Sequence, residues 1–172
     1  YVRNDEDMKT KMTLESLKKL DGVIFANTTG DLPLPDREAF VQWIKSGKAF
    51  IGMHSCSDTF HGFPDFVDML GGEFQTHGAQ ATVECLNQDL SHPAVRHFGE
   101  SFTIHDEIYL LKSFHRNRVH GLLTLDKHPN SKVPGDYPIA WSKKVGNGSV
   151  FYTSLGHRND VWENEKYQAH VL

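Results

Sequence analysis

Two continuous apolar runs end abruptly in small polar residues. Val23, Ile24 and Phe25 lead into Asn27, Thr28, Thr29 and Gly30, and Ala49 to Met53 lead into "HSCSD", His54 to Asp58. Runs of this kind predict strands buried on both faces of a sheet. Between them, Ala39, Phe40, Trp43 and Ile44 share one helical face. Asp36 is the N-cap and Gly47 closes the segment. Thr13 caps a shorter predicted helix, with Ser16 giving half of a capping box. "FPDFVDMLGG" predicts another helix. Helix, strand, helix, strand, helix is the order of an α/β domain with a mainly parallel sheet.

After Gly72 the pattern changes. "AQATVECLN" alternates, as a strand at an edge or in an extension does. "EIYLLKSF", "HGLLTLD" and "YPIAWSKKV" have strand-like content, and Asn147-Gly148 signals a hairpin. A helix begins near Glu163 and meets the end of the sequence. No repeat, low-complexity tract or linker interrupts the chain, so one domain over residues 1–172 is expected.

Composition narrows the function classes. The net charge of −4, without a basic run, argues against a nucleic-acid module. No apolar stretch approaches the ~20 residues of a membrane span. The first residues are polar and show no signal peptide, although the start at Tyr1 leaves the compartment open. The two cysteines, Cys56 and Cys85, form neither a CxxC pair nor a disulfide framework. Reduced thiols are the default; the cytoplasm is the favoured compartment, with the periplasm or secretion left open by the N-terminus.

Histidine is the unusual component, with eleven copies. In open parallel sheets, ligands bind beyond the carboxyl ends of strands. Three such tips qualify: Asn27 to Gly30, His54 to Asp58, and Gly156 to Asp160. His77 and the triplet His105, Asp106, Glu107 add further candidates. "GMHSCSD" fits a tight strand-to-helix elbow with His54 at its tip. Cys56 is either a nucleophile or an inert buried residue, and Asp58 either caps a helix or enters the cleft. Strand alternation would place His105 and Glu107 on one face and turn Asp106 away. His54, His77, His105 and His157 have the donor chemistry for a divalent metal such as zinc, though their spacing matches no known signature. The other histidines read as surface or turn residues; His92 and His128 precede prolines.

"FANTTGDLPLPDREAFVQWIKSGKAFIGMHSCSDTF", "GFPDFVDMLGGEFQTHG", "HDEIY" and "PIAWSKKVGNGSVFYTSLGH" together resemble the ThuA-like trehalose-utilisation family, in order and over nearly the whole chain. The resemblance implies a flavodoxin-like three-layer sandwich related to class I glutamine amidotransferases, with a β-rich C-terminal half. It also implies that the domain's first strand and the end of its last helix lie outside this sequence. The family is associated with bacterial use of trehalose and related disaccharides, including routes through 3-keto sugars.

Carried over by position, His54 stands where amidotransferase relatives keep a catalytic cysteine, and His157 where they keep a histidine. Glutamine hydrolysis is therefore not expected. The expected activity is modification of a sugar, of isomerase, lyase or hydrolase type, with His54, His157, Asp58 and Glu107 as catalytic groups and a metal as an optional aid. Asn27, Thr28, Thr29, His77 and Trp162 would bind the carbohydrate, although core packing is the stronger claim on Trp162. Two alternatives stay open: a non-catalytic sugar-binding or interaction domain, and a hydrolase using Cys56. A small-molecule carbohydrate is the expected partner, with self-association left open.

Overall fold

In a computed structural model describing residues 1–172, the chain opens with two short helices, α1 (Asp5–Lys11) and α2 (Leu14–Leu17). The side chains of Asn4 and Thr13 cap them. Helix α1 buries only Met8; it carries acids in its first turn and lysines in its last, which suits the helix dipole. It has no apolar stripe, so hydrophobic periodicity does not reveal it.

Strand β1 (Gly22–Ala26) is followed by α3 (Arg37–Lys45) and β2 (Ala49–Met53). Asp36 accepts the Ala39 amide at 2.8 Å, and α3 buries Phe40, Val41, Trp43 and Ile44. A 3₁₀ turn over His54–Asp58 leaves β2. Helix α4 (Pro64–Leu70) then ends at Gly71, whose φ of 97° is the left-handed cap that glycine favours. The remainder comprises β3 (Glu73–His77), β4 (Ala81–Asn87), β5 (Ser101–Asp106), β6 (Tyr109–Lys112), β7 (His120–Lys127), β8 (Pro134–Val145) and β9 (Gly148–Thr153). Helices α5 (Asn159–Glu163) and α6 (Glu165–Val171) close it.

Seven strands form one sheet in the order β1-β2-β9-β8-β7-β4-β5, and β3 pairs with β6 in a separate ribbon. Only β1, β2 and β9 run parallel; the other four pairings are antiparallel. The expected flavodoxin-like, mainly parallel sheet therefore gives way to a mixed α/β fold with a mainly antiparallel sheet. A parallel neighbour needs a long crossover, usually helical, whereas a tight turn delivers an antiparallel one. The β8–β9 hairpin is such a turn. Val145 pairs with Gly148, so Gly146 and Asn147 make the turn, one residue earlier than the Asn-Gly signal suggests. Strand β1 is also corrected. It is an outer strand, and Ile24 is 57% exposed rather than buried.

Alternate residues of one strand feed two cores. Val150 and Tyr152 of β9 face a cluster with α3 and α4. Phe151 packs on the other cluster, which gathers residues of β4, β5, β7, β8, α5 and α6. In the first, Phe50 meets Phe25, Phe40 and Phe66 edge-on, with ring centroids 5.1, 6.1 and 5.7 Å away. Such pairs add about 0.5–1.5 kcal/mol each beyond area burial. No helix is long and apolar enough to cross a membrane. Because Phe50 is only 1% exposed, Phe50→Ala is expected to destabilise the fold by about 3–5 kcal/mol, read as a lower urea midpoint at unchanged m-value.

Candidate functional site

The β2 elbow is held from several sides. His54 has a φ of 45°, a left-handed conformation that a non-glycine residue adopts only under constraint. Gly52 lies just before it, where a Cβ would stand 2.8 Å from the Cys56 sulfur. The Tyr152 hydroxyl donates to the His54 carbonyl at 2.8 Å and also lies 2.8 Å from Ser57 Oγ. The His54 ring is buried, with Nδ1 2.7 Å from the Ser154 carbonyl. A carbonyl only accepts, so Nδ1 carries the proton. Burial holds the His54 pKa below its usual 6.5, against the opposing pull of the Ser154 bond and of Asp106 and Glu107. The ring is then neutral, and its Nε2 lone pair faces Glu107 Oε1 at 3.5 Å.

The opposite wall hangs on Asp106. This fully buried carboxylate ends β5 and accepts the Gly156 amide at 2.7 Å and the Arg158 amide at 3.3 Å. The Gly156 carbonyl in turn accepts from Asn27 Nδ2 at 2.9 Å and Trp162 Nε1 at 2.7 Å. These bonds hold His157 over the site, with its Nδ1 3.5 Å from Glu107 Oε1. His77 Nδ1 lies 3.2 Å from the other Glu107 oxygen. One donor atom each from His54, Glu107 and His157 lies within 4.8 Å of the others. Tyr109 packs its ring 4.3 Å from the His54 ring, closing the floor of the site.

A sequence model of the trehalose-utilisation family ThuA matches residues 2–172. The chain belongs to the ThuA family. Among solved structures it resembles a ThuA-like protein from Bacteroides uniformis, at 24% identity and a TM-score of 0.73, covering 94% of this chain and 69% of that one. A ThuA-like protein from Parabacteroides merdae is similar at 15% identity and a TM-score of 0.72, covering 95% and 72%. A β-galactosidase from Bacillus circulans contains the same fold at 13% identity and a TM-score of 0.61, over 90% of this chain but 22% of that one. At these identities the likeness is one of fold. No curated protein matches the chain in sequence.

Within this ThuA-family site the predicted residues separate. His54, His157, Glu107 and His77 come together. His105 does not: it sits exposed on β5 with Nδ1 3.0 Å from Thr82 Oγ1. Alternation does set His105 and Asp106 on opposite faces, but it fails for Glu107, because β5 ends at Asp106. Asp106 points inward, and Glu107 reaches the site from outside the strand. Asp58 caps no helix; it accepts from Thr29 and meets His61, while Thr28 pairs with Thr59 at 2.8 Å. Asn27 and Trp162 spend their donors on the Gly156 carbonyl, so each at least positions the His157 loop. Tyr109, Tyr152 and Ser154 are site residues that the sequence reading does not single out, and Asp106, a candidate from the triplet, is read there as pointing away. Only the "HDE" triplet carried a signal for any of them.

Cys56 is fully buried, and burial pushes its thiol far above the usual range. A nucleophilic thiolate at this position is therefore disfavoured. In the native protein at neutral pH, iodoacetamide is expected to leave Cys56 unmodified and to alkylate it only after denaturation, as read by peptide mass spectrometry.

His61 clamps the far side of the elbow. Its Nε2 lies 2.6 Å from Asp58 Oδ1 and its Nδ1 2.6 Å from Glu73 Oε1. Both partners are carboxylates that only accept, so both ring nitrogens carry protons and His61 is an imidazolium. The Asp58 bond raises its pKa above 6.5, with Glu73 adding to this and partial burial opposing it. A raised folded-state pKa adds stability below the unfolded value, and that stability is lost as pH rises through the folded value. His61→Asn is therefore expected to cost most stability between about pH 5 and 6.5, with the difference from native protein shrinking at higher pH. Urea unfolding of both proteins across a pH series reads this directly; a pH-independent difference contradicts the imidazolium assignment.

Proposed function

We propose that this ThuA-family chain is a carbohydrate-modifying enzyme that acts on a trehalose-type disaccharide or its 3-keto derivative by histidine acid/base chemistry. The observation that carries the reading is the convergence of a neutral buried imidazole, a carboxylate and a second, exposed imidazole at the carboxyl ends of β2 and β9. The elbow is read as inherited from a glutaminase-like architecture, with His54 in the nucleophile's place.

In this reading His54 Nε2 is the base, since Nδ1 is committed to Ser154. In a 3-keto sugar it accepts a proton from the carbon beside the carbonyl. Glu107 stabilises the imidazolium that forms, and His157, at the mouth of the site, passes a proton to or from a substrate oxygen. Ser154 fixes the tautomer of the base and Tyr109 limits the tilt of its ring.

The test is turnover of trehalose and of 3-ketotrehalose, followed by NMR in D₂O. Wild type is expected to transform one of them and, with 3-ketotrehalose, to wash deuterium into the carbon beside the carbonyl. Glu107→Gln and His157→Ala are each expected to lower kcat by about 10²–10⁴-fold with the fold intact. No turnover and no exchange with either compound overturns the reading. The second reading is a sugar-binding or interaction domain without turnover. It is favoured by the recurrence of the fold as 22% of a β-galactosidase chain, where it is one part of a larger protein. Calorimetric binding of either sugar without chemistry selects it.

A further inference from the structure

Glu107 has too few proton donors for its position. Its side chain is 12% exposed, and its nearest charged or chargeable neighbours are three imidazole nitrogens. His54 Nε2, at 3.5 Å, is beyond normal hydrogen-bond length, and the ring's other nitrogen is engaged with the Ser154 carbonyl at 2.7 Å. His77 Nδ1 is 3.2 Å away but lies 2.9 Å from the Gly78 carbonyl, which takes its proton. That leaves His157 Nδ1, at 3.5 Å, beyond normal hydrogen-bond length. No lysine or arginine pairs with Glu107, although Glu73 and Asp58 nearby are each paired with His61. A nearly buried carboxylate without a close donor or a paired cation is costly, and a cation among these three side chains removes that cost.

We propose that His54 Nε2, Glu107 and His157 Nδ1 bind one first-row divalent cation, zinc by the character of the donors. Ligands bound at about 2.0–2.2 Å around a tetrahedral ion lie about 3.3–3.5 Å apart. Two of the three edges, His54–Glu107 and His157–Glu107, already measure 3.5 Å. For the third, a ring nitrogen of His54 and one of His157 lie within 4.8 Å, and a swing of the exposed His157 ring closes the edge. The surroundings match the support that metal-bound histidines receive, since the Ser154 carbonyl orients His54 through its other nitrogen. Three protein ligands leave a fourth position for water or a substrate oxygen. His77 and His105 are not ligands in this set. His77 has committed its near nitrogen to Gly78, and His105 belongs to the outer face of β5.

With the ion bound, His54 Nε2 is a ligand and no longer the base, so proton transfer falls to the other ring nitrogen of His157. The site rests on the sugar-modifying reading only for the ion's part in turnover. The test is titration of the chelator-treated full chain with Co²⁺ alone, followed by displacement with Zn²⁺. One equivalent is expected to give a visible band of low-coordinate Co²⁺, lost on adding Zn²⁺. Glu107→Gln and His157→Ala, with native circular dichroism, are expected to weaken binding about 100-fold or more, and His105→Ala to leave it unchanged. The absence of a saturable band, or binding indifferent to Glu107→Gln and His157→Ala, overturns the proposal. Binding without turnover of either sugar supports the site while defeating the enzymatic reading. Turnover by a protein that binds no metal overturns the site and leaves that reading standing.

Discussion

Asp106 has no exposed surface, yet its carboxylate accepts two amides from the loop after β9. In the sheet, β5 and β9 are separated by β8, β7 and β4. A direct bond between the end of β5 and that loop requires the sheet to curl back on itself. Glu107, the next residue, is thereby carried to the ends of β2 and β9, where His54 and His157 wait. A buried carboxylate of this kind is retained only because its bonds are charge-assisted, and removing it would strand the two amides. The site thus depends on a residue that touches none of its reacting space.

The second constraint is the fixed orientation of His54. Its left-handed backbone and its burial both cost free energy, the first about 1–3 kcal/mol. Bonds from Tyr152 to its carbonyl and from its ring to Ser154 offset that cost. The return is an imidazole with one tautomer and one direction. Gly52 belongs to the same arrangement, because the Cys56 sulfur occupies the space a side chain there would need. Cys56 is in this sense a packing residue beneath the elbow, consistent with its raised thiol pKa.

Much of this was legible in the sequence wherever polarity changed sharply. The apolar runs ending at Met53 and before His157 marked two strand tips, and the strand-end rule identified both histidines. Asp36 and Gly47 delimited a helix because capping chemistry is local. Legibility failed where the deciding fact was non-local. Period-two alternation separated His105 from Asp106 but misplaced Glu107, since it cannot tell where β5 stops. The both-faces reading of Val23 to Phe25 missed that β1 is an outer strand, because edge position is a property of the sheet. The hairpins after Gly72 were visible one by one, but the antiparallel majority followed only from their sum.

His54 and His61 lie seven residues apart and end in opposite protonation states for physical reasons. His54 gives its one proton to a carbonyl and is desolvated, so the neutral ring wins. His61 is half-open and sits between Asp58 and Glu73, so the charged ring wins. The charged histidine fastens the 3₁₀ turn to β3 from outside, while the neutral one presents a lone pair within. Exchanging their surroundings would place an imidazolium beside Glu107, where it would neutralise the carboxylate and occupy the lone pair. The polarity of the elbow, its cation outside and its lone pair inside, is what leaves the Glu107 charge available for a proton, a substrate or an ion.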